Sequence, residues 1–384
     1  MKGFLLLKNC RIYTPYPIEG INDLLIINSK IAKISKSIKP KKDFKVINCN
    51  QKIVSPGFID VHIQGAGGKD ILEGTKEALS KISLTLAKTG VTGFLATTVV
   101  IPGERQKHLE TVATAIKEGL PGSSILGIHL EGPFINVKKK GMIRKDCIRK
   151  PNIKFLHRLI KISKGNITLM TVAPELKGAV KIIRELKKFN IVPSLGHTLA
   201  TYEESLKGIN AGISHVTHLF NAMPPLLHRE PGPIPAIIFE ENITSEVISD
   251  GVHIKPVVLN IIYKLLGKDK IVLITDGMCA LGLGDGKYIY NNLKFESKNG
   301  TCYYKDGTLM GASLSLNQMA YRFMKFTNAP FEEVLQMITL NPAKTLNLKN
   351  KGFIAVGKDA DIAIIDKNFN VYKTIIKGKV VWDS

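Results

Sequence analysis

The chain has 384 residues, of which 44% are hydrophobic, and a formal net charge of +22. This size and composition are typical of a globular protein with one large and one small domain, and they exclude a disordered chain. The positive charge favours an anionic partner, but the lysines are scattered, and no segment interleaves basic and aromatic residues as an RNA-stacking surface does. We therefore prefer a lysine-rich solvated surface to nucleic-acid binding.

Cysteine usage and hydropathy exclude further classes. The five cysteines are odd in number, far apart and without CxxC spacing, so they predict neither a disulfide framework nor a cysteine zinc site. The apolar stretch Phe4–Leu7 is too short for a signal peptide, and no run approaches the roughly 20 apolar residues of a membrane span. We expect a cytoplasmic protein without a membrane segment.

Both chain ends are rich in short β-like stretches separated by turn residues. Such stretches recur in residues 1–54, and the tail from about Gly352 ends in a predicted hairpin, Val371–Trp382, with Lys377-Gly378 near its turn. We therefore expect the ends to pair into one discontinuous β-sandwich domain, 1–54 and 350–384, leaving 55–349 as the second domain.

The middle of the chain alternates apolar strands with amphipathic helices. Eight strands are predicted: Ile53–His62, Gly93–Val99, Ile125–Glu131, Ile167–Val172, Ile191–His197, Gly212–His218, Thr244–Ser249 and Lys270–Asp276. The predicted helices are Leu79–Lys88, Leu109–Glu118, Ala179–Phe189, Tyr202–Gly208 and Val257–Leu266, and then Leu314–Phe326 and Phe331–Leu340 as closing helices. A β-hairpin insertion is predicted near 277–311.

This alternation fits either a closed (β/α)₈ barrel or an open doubly wound sheet. Polar residues at the carboxyl ends of five strands favour the α/β barrel of TIM type, because a barrel gathers them around one axis whereas an open sheet spreads them along a line. These residues are His62, Glu131, His197, His218 and Asp276.

Three of the strand ends supply one carboxylate and two imidazoles: Glu131, His197 and His218. This set is typical of a catalytic zinc site that leaves one position for water, although Mn²⁺, Co²⁺ or Fe²⁺ would also suit it. Asp276 then has two interpretations, a structural cap of the turn at Gly277 or the base that takes a proton from the water. We prefer the catalytic one.

Two further histidines lie on the same strands. Since His215 and His218 are an odd number of residues apart, strand alternation predicts that only one points into the barrel, and we assign that place to His218 and a structural role to His215. His129 shares a strand face with Glu131 and is a candidate for orienting a metal ligand.

An ordered set of motifs carries a resemblance to a known family. The motifs are Pro56-Gly57-Phe58-Ile59-Asp60-Val61-His62, His129-Leu130-Glu131-Gly132-Pro133-Phe134, Gly196-His197-Thr198, Thr217-His218-Leu219-Phe220-Asn221-Ala222-Met223, Arg229-Glu230-Pro231-Gly232, Asp250-Gly251-Val252-His253 and Thr275-Asp276. Together they resemble the N-acetylglucosamine-6-phosphate deacetylases, a family of the amidohydrolase superfamily, from about residue 53 to the tail.

The resemblance implies a metal-dependent hydrolase of N-acetylglucosamine 6-phosphate that serves amino-sugar metabolism. It implies that Glu131, His197 and His218 bind one divalent metal and that Asp276 is the general base and acid. It also implies that His253 supports the substrate carbonyl and that Asn221 and the Ala222 backbone hold the sugar phosphate. Arg229 would reach the phosphate in a neighbouring subunit's site, which implies a homodimer; the alternative is a surface ion pair with Glu230.

The chain departs from the family pattern at two places. Where many amidohydrolases carry His-x-His and a second metal, this chain has His62-Ile63-Gln64, and an amide is a poor zinc ligand, so we expect one metal with His62 and Gln64 facing metal or substrate. Ile143 occupies a segment in which the family often places a polar residue near the substrate. Two explanations remain open: Arg144 or Lys140 takes over the role of that polar residue, or the enzyme prefers a different sugar.

Two other functions remain open at this stage. The chain could be an amidohydrolase acting on a different N-acyl amino sugar or amide, an alternative that the Ile143 departure leaves open. It could also be a catalytically silent dimeric barrel, against which the complete set of metal ligands and Asp276 argues.

Overall fold

Most of the strands in the computed structural model, which describes residues 3–103 and 105–384, belong to two eight-stranded sheets. The strands are β1 (Phe4–Ile12), β2 (Asn22–Ile27), β3 (Lys30–Ser35), β4 (Phe44–Asn48), β5 (Ile53–Pro56), β6 (Phe58–Ile63), β7 (Gly65–Ala66), β8 (Lys69–Asp70), β9 (Val91–Thr98), β10 (Ser124–Leu130), β11 (Ile167–Val172), β12 (Val192–Leu195), β13 (His215–Val216), β14 (Thr244–Ile248), β15 (Ile271–Ile274), β16 (Gly286–Tyr290), β17 (Leu293–Lys298), β18 (Thr301–Tyr303), β19 (Leu309–Ala312), β20 (Ile362–Ile365), β21 (Val371–Ile376) and β22 (Lys379–Asp383).

Helices connect the strands of the middle region. They are α1 (Lys76–Ala87), α2 (Lys107–Glu118), α3 (Ile153–Ile162), α4 (Ala179–Lys188), α5 (Tyr202–Ala211), α6 (Ile234–Phe239), α7 (Pro256–Lys270), α8 (Leu316–Thr327), α9 (Phe331–Met337) and α10 (Leu340–Thr345). Three of them were not predicted: α3, α6 and α10, which shares only Leu340 with the predicted helix Phe331–Leu340. The six residues of α6 are nearly all apolar and so carry no helical periodicity, whereas α3 is amphipathic and its pattern could have indicated it.

One sheet is built from both chain ends, in the order β22-β21-β20-β5-β1-β2-β3, with β4 beside β1. The first half of β1 pairs with β2 and β4, and its end pairs with β5, so β1 links two halves of the sheet. Side chains from both halves form one buried cluster that includes Leu7, Leu24, Val54, Ile362 and Ile375. The predicted small β-domain made from the two ends is confirmed, while the division of the chain at residues 54/55 and 349/350 stays a prediction.

The other sheet is the predicted barrel. Its strands are all parallel, in the order β6, β9, β10, β11, β12, β13, β14 and β15, and a parallel bridge between Ile63 and Gly277 joins its two edges. The closed (β/α)₈ interpretation is therefore confirmed over the open sheet. The helices cover the strands, and Phe58, Phe94 and Phe323 are fully buried between the two layers.

The prediction of a single strand over Ile53–His62 was wrong. β5 pairs with β1 and β20 in the terminal sheet, whereas β6 pairs with β9 in the barrel, and Gly57 lies between them. A Cβ at Gly57 would lie 2.2 Å from Thr92 Cγ2, so only glycine fits where the chain passes between the sheets.

The insertion after β15 is larger than the single hairpin predicted near 277–311. It is a four-stranded antiparallel sheet, β16-β17-β18-β19. The backbone N–H of Ala312 donates to the carbonyl of Asp276 (3.0 Å), and the N–H of Met278 donates to the carbonyl of Ala312 (2.9 Å). The inserted sheet is therefore fastened to the end of β15, where Asp276 lies. Among the described residues, no helix is long and apolar enough to cross a membrane.

Candidate active site

The polar residues predicted at strand ends meet at one mouth of the barrel. Glu131 directly follows β10, while His197, His218 and Asp276 each lie two residues beyond β12, β13 and β15. The last three have φ values of 48°, 32° and 46°, in the left-handed region that non-glycine residues seldom adopt. This conformation turns each side chain out of the strand alternation, and such strain is typical of functional sites.

Glu131, His197 and His218, which we name the mouth cluster, converge on one point. Oε1 of Glu131 lies 3.0 Å from Nε2 of His197 and 3.2 Å from Nε2 of His218, and the two nitrogens are 3.0 Å apart. Nδ1 of His197 donates to the carbonyl of Lys139 (2.7 Å), so Nε2 is the ring nitrogen that faces the carboxylate. One carboxylate oxygen and two imidazole nitrogens that converge in a buried site match the mixed ligand set of a divalent metal, so the residues of the mouth cluster fit such an ion.

The electrostatics of the mouth cluster favour positive charge. Burial would raise the pKa of Glu131, but His62, His197 and His218 hold that pKa well below its usual range. Burial would lower the pKa of His218, yet the hydrogen bond and charge of Glu131 raise it. Glu131 is therefore ionised and surrounded by groups that stabilise its charge, as expected for a metal ligand.

Asp276 lies beside the mouth cluster, with Oδ1 at 3.3 Å from Nε2 of His62. Both atoms are buried and have no hydrogen-bond partner. Burial raises the pKa of Asp276, which suits a group that must accept a proton and return it. The alternative interpretation of Asp276 was a structural cap of the turn at Gly277. In the structure the N–H of Gly277 donates to Oγ1 of Thr275 (3.0 Å), so Thr275 caps this turn.

Asp60 on β6 fixes this strand end and was not identified from the sequence. Its carboxylate accepts a hydrogen bond from the Thr275 hydroxyl (2.6 Å) and lies 3.3 Å from the backbone nitrogen of His62, which donates to it. Burial raises the pKa of Asp60 to about 7, although these hydrogen bonds oppose the rise. The sequence did contain a signal for Asp60, since it is a carboxylate within the otherwise largely apolar strand Phe58–Ile63.

Gln64 contacts the mouth cluster without entering it. Its amide Nε2 donates to Oε2 of Glu131 (3.2 Å), and its Oε1 accepts from the hydroxyl of Tyr290 on the inserted sheet (2.6 Å). A carboxylate only accepts hydrogen bonds, so the amide nitrogen must face Glu131. Gln64 thus orients the carboxylate oxygen that points away from the two histidines.

A second group of buried ionisable residues lies deeper in the barrel: His62, His129 and Glu246, which we name the inner cluster. Nδ1 of His62 lies 2.8 Å from Glu246, and Nε2 of His129 lies 2.9 Å from the Thr171 hydroxyl. Burial would lower the pKa of His62, but Glu246, Asp276 and Glu131 raise it to about 10. Burial and the charge of His62 lower the pKa of His129 to about 3, so His129 stays neutral.

The prediction that only one of His215 and His218 faces the interior was wrong. The His215 ring lies 3.2 Å from Oε1 of Glu246, and the backbone N–H of His218 donates to Oε2 of the same residue (3.0 Å). Strand alternation ends with β13 at Val216, and the positive φ at His218 turns its ring back to the interior. His129 forms no hydrogen bond to the mouth cluster among the described residues; its hydroxyl partners are Thr171 and Thr97.

A cavity of about 440 Å³ opens over the mouth cluster. Its lining includes Asp276, Asn221, Ala222 and His253, together with Lys138, Lys139, Met142 and the stretch 307–311 of the inserted sheet. Nδ1 of His253 lies 2.7 Å from Oδ2 of Asp250, which also accepts from the Thr301 hydroxyl (2.9 Å), so Nε2 is the ring nitrogen left to the cavity. Asp250 stands three residues before His253 in the quoted motif but was not assigned a role from the sequence.

Two other predicted residues lie outside this cavity lining. Arg229 is exposed, and no ion pair with Glu230 occurs among the described residues. Ile143 is buried among apolar residues, while Arg144 pairs with Asp146 and Lys140 donates to the carbonyl of Gly141. Neither cation therefore stands in for a polar residue at position 143, and the cations that do line the cavity are Lys138 and Lys139.

Comparison with known proteins points to one family. Residues 53–381 match the model of the amidohydrolase family. The chain is 35% identical to N-acetylglucosamine-6-phosphate deacetylase of Bacillus subtilis, over 100% of this chain and 98% of that protein. It is 31% identical to N-acetylgalactosamine-6-phosphate deacetylase of Escherichia coli O157:H7, over 86% of this chain and 88% of that protein. The crystal structure of N-acetylglucosamine-6-phosphate deacetylase from Pasteurella multocida superposes with a TM-score of 0.92 at 28% identity, covering 99% of this chain and 100% of that one.

Proposed function

The chain belongs to the amidohydrolase family, and we propose that it is a metal-dependent deacetylase that hydrolyses N-acetyl-D-glucosamine 6-phosphate to D-glucosamine 6-phosphate and acetate. The observation that carries the proposal is the mouth cluster, in which Oε1 of Glu131 and the Nε2 atoms of His197 and His218 converge beside Asp276. The relatives named above support the substrate, and the lysines in the cavity wall suit its phosphate.

The metal that this family requires fits the residues present. Glu131, His197 and His218 would hold one divalent cation, which we propose to be Zn²⁺ because it suits a mixed nitrogen and oxygen set. Such a cation supplies a water of lowered pKa and polarises the amide carbonyl. We propose a single metal, since Gln64 is engaged by Glu131 and Tyr290 and is not free to bind a second one.

Asp276 moves the protons of the reaction. Its carboxylate accepts a proton from the attacking water and then delivers that proton to the departing amine. The raised pKa of Asp276 suits both steps, because the group must change its protonation state at each of them. His253, held through Nδ1 by Asp250, directs Nε2 at the substrate carbonyl and stabilises the negative charge that develops on its oxygen.

The phosphate end of the substrate lies at the outer part of the cavity in this proposal. Asn221 and the backbone of Ala222 hold it, and Arg229 reaches it from a neighbouring subunit of a homodimer. Three features support this arrangement: Arg229 is exposed, it is outside the cavity of its own chain, and it is flanked by exposed Leu226 and Leu227. A guanidinium fork matches phosphate oxygens.

A deacetylation assay with metal analysis on the same sample tests the proposal. We expect acetate release from N-acetylglucosamine 6-phosphate, about one divalent metal per chain, and little activity on the unphosphorylated sugar. N-acetylgalactosamine 6-phosphate belongs in the same assay, because the buried Ile143 leaves the cavity without the polar side chain expected there. Metal-loaded protein without activity on either phosphorylated sugar would contradict the proposal, and protein that binds no metal would favour a silent scaffold.

A further inference from the structure

Glu246 is a fully buried carboxylate in the middle of β14 that has no place in the steps above. Its Oε2 lies 2.8 Å from Nδ1 of His62 and 3.0 Å from the backbone nitrogen of His218. Its Oε1 lies 3.2 Å from Nε2 of His215. One side chain thus contacts β6 and the segment at the end of β13, which lie on either side of β14 in the barrel, and His62 and His218 in these segments both face the active site.

The contact with His62 sets the direction of its ring. Because the carboxylate only accepts hydrogen bonds, Nδ1 of His62 is the donor, and Nε2 is turned to the mouth. There Nε2 lies 3.3 Å from Oδ1 of Asp276 and 3.5 Å from Oε1 of Glu131. A rotation of this ring would remove an imidazole that faces both the metal-binding carboxylate and the base.

The contact with His218 holds a strained backbone. His218 has a φ of 32°, which costs free energy for a residue with a side chain, and such a conformation persists only where its surroundings fix it. The hydrogen bond from its N–H to a buried carboxylate is of the strong, charge-assisted kind. The direction of the His218 ring toward Glu131 and His197 depends on this conformation.

The third contact shows how Glu246 is itself held. Nε2 of His215 donates to Glu246, so Nδ1 of His215 accepts from the Thr244 hydroxyl (2.7 Å), which lies 3.1 Å from the hydroxyl of Thr345. The carboxylate therefore accepts three hydrogen bonds in a site without water access, which fixes both of its oxygens.

We propose that Glu246 is a positioning residue that sets the His62 ring and the His218 ligand in one geometry, so that a single buried carboxylate aligns both the metal-binding and the proton-transfer side of the site. The consequence for catalysis rests on the proposed function, whereas the consequence for metal binding does not. Glu246 is not a metal ligand in this proposal, because both of its oxygens are engaged by the histidines that it orients.

Two variants at this position separate geometry from charge. In Glu246→Leu all three hydrogen bonds are lost in a side chain of similar size. In Glu246→Gln the amide oxygen can take the place of Oε2, and the amide nitrogen can donate to Nε2 of His215 once that ring changes its tautomer and donates to Thr244. The matched control is Ser245→Ala, the adjacent buried residue on β14, whose hydroxyl has no hydrogen-bond partner.

The measurements are zinc retention against a graded chelator, kcat and KM with N-acetylglucosamine 6-phosphate, and thermal unfolding of the metal-free protein. For Glu246→Leu we expect zinc retention and kcat to fall by about 10- to 100-fold, as is typical when a partner of a metal ligand is lost, with little change in KM. Glu246→Gln should recover most of the zinc retention, and Ser245→Ala should match the unmodified protein in all three measurements.

A merely structural role gives a different pattern: a lower unfolding temperature for Glu246→Leu, with zinc retention and kcat unchanged below that temperature. This result would overturn the proposal. If Glu246→Leu does not fold, Glu246→Asp provides the same test, because its shorter side chain draws the carboxylate away from His62 and His218; unchanged zinc retention and kcat there would also overturn it. If unmodified protein binds zinc but deacetylates neither phosphorylated sugar, the proposed function fails, while the loss of zinc in Glu246→Leu still supports positioning.

Discussion

The mouth cluster and the inner cluster have the same composition, two imidazoles and one carboxylate, and in each the candidate ligand atoms lie within 4.8 Å of one another. They differ in their hydrogen bonds. In the inner cluster Nδ1 of His62 donates to Glu246, and threonine hydroxyls contact both ring nitrogens of His129, so these three ring nitrogens all have hydrogen-bond partners. In the mouth cluster the backbone carbonyl of Lys139 accepts a hydrogen bond from Nδ1 of His197, and Nε2 of that ring faces Glu131 and His218, which belong to the cluster itself.

The difference shows that the number and spacing of ligand-type residues do not make a metal site. What matters is the partner of the far ring nitrogen, since it fixes the tautomer and decides whether the near nitrogen offers a proton or a lone pair. By this criterion the mouth cluster fits a metal cation, and the inner cluster is a hydrogen-bonded support beneath it. Three predictions follow from the contrast.

The largest effect is expected at Asp276, which adjoins the mouth cluster without belonging to it. Asp276→Asn should lower kcat by about 100-fold to 10,000-fold, the range for loss of a general base, because an amide cannot take the proton of the water. Metal content should stay at the level of the unmodified protein, since Asp276 is not among the three ligands. Near-normal turnover in a metal-loaded Asn variant would show that another group is the base.

A matched pair of histidine substitutions tests the contrast between the clusters directly. His218→Gln should lose most of its bound metal on dialysis, because it removes one of three ligands. His129→Gln should keep its metal and lose about 1–3 kcal/mol of stability, as is typical when a buried hydrogen-bond partner is removed. Metal analysis and urea unfolding of both variants provide the measurements. Equal metal loss in the two variants would mean that the inner cluster also binds a metal.

The last prediction concerns the dependence of stability on pH. The pKa of His129 is about 3 in the folded chain, and in the unfolded chain a histidine titrates near its ordinary value of about 6.5. Between these values the unfolded chain binds the extra proton, so the free energy of unfolding should fall as the pH falls from 6.5 towards 3, by up to about 1.4 kcal/mol per pH unit.

Urea unfolding of chelator-treated protein between pH 4 and pH 7 measures this slope. Metal-free protein is needed because metal release at low pH would add its own dependence. His129→Gln, which lacks the group, should show a shallower slope over the same range. If the two slopes coincide, His129 is not the neutral buried residue that the inner cluster requires.

Much of the fold followed from periodicity. The prediction for β11 matches the observed strand, and the other barrel strands overlap their predictions, because a strand buried on both faces is a short apolar run bounded by turns. The exception was the run across Gly57, in which two strands of different sheets follow each other without a polar break. Hydropathy cannot place that boundary, since both sheets bury the residues beside it.

The site followed from strand ends and motifs only in part. Glu131, His197, His218 and Asp276 were found because carboxyl ends of parallel strands meet at one mouth. Glu246 and Asp60 were missed because a single carboxylate within an apolar strand has no sequence partner; its partners come from other strands. Tyr290 was missed because only the folding of the inserted sheet brings its hydroxyl to Gln64.

The sequence by itself thus determined the class of fold, the set of ligand-type residues and the strand ends that carry them, because these depend on local pattern and on the direction of parallel strands. Only the tertiary structure decided which of two clusters of like composition turns its ligand atoms to one point at the mouth of the barrel. That choice depends on hydrogen bonds between residues far apart in the chain, such as the Lys139 carbonyl with His197 and Glu246 with His62, and on the left-handed backbone at His218 that strand alternation does not foresee.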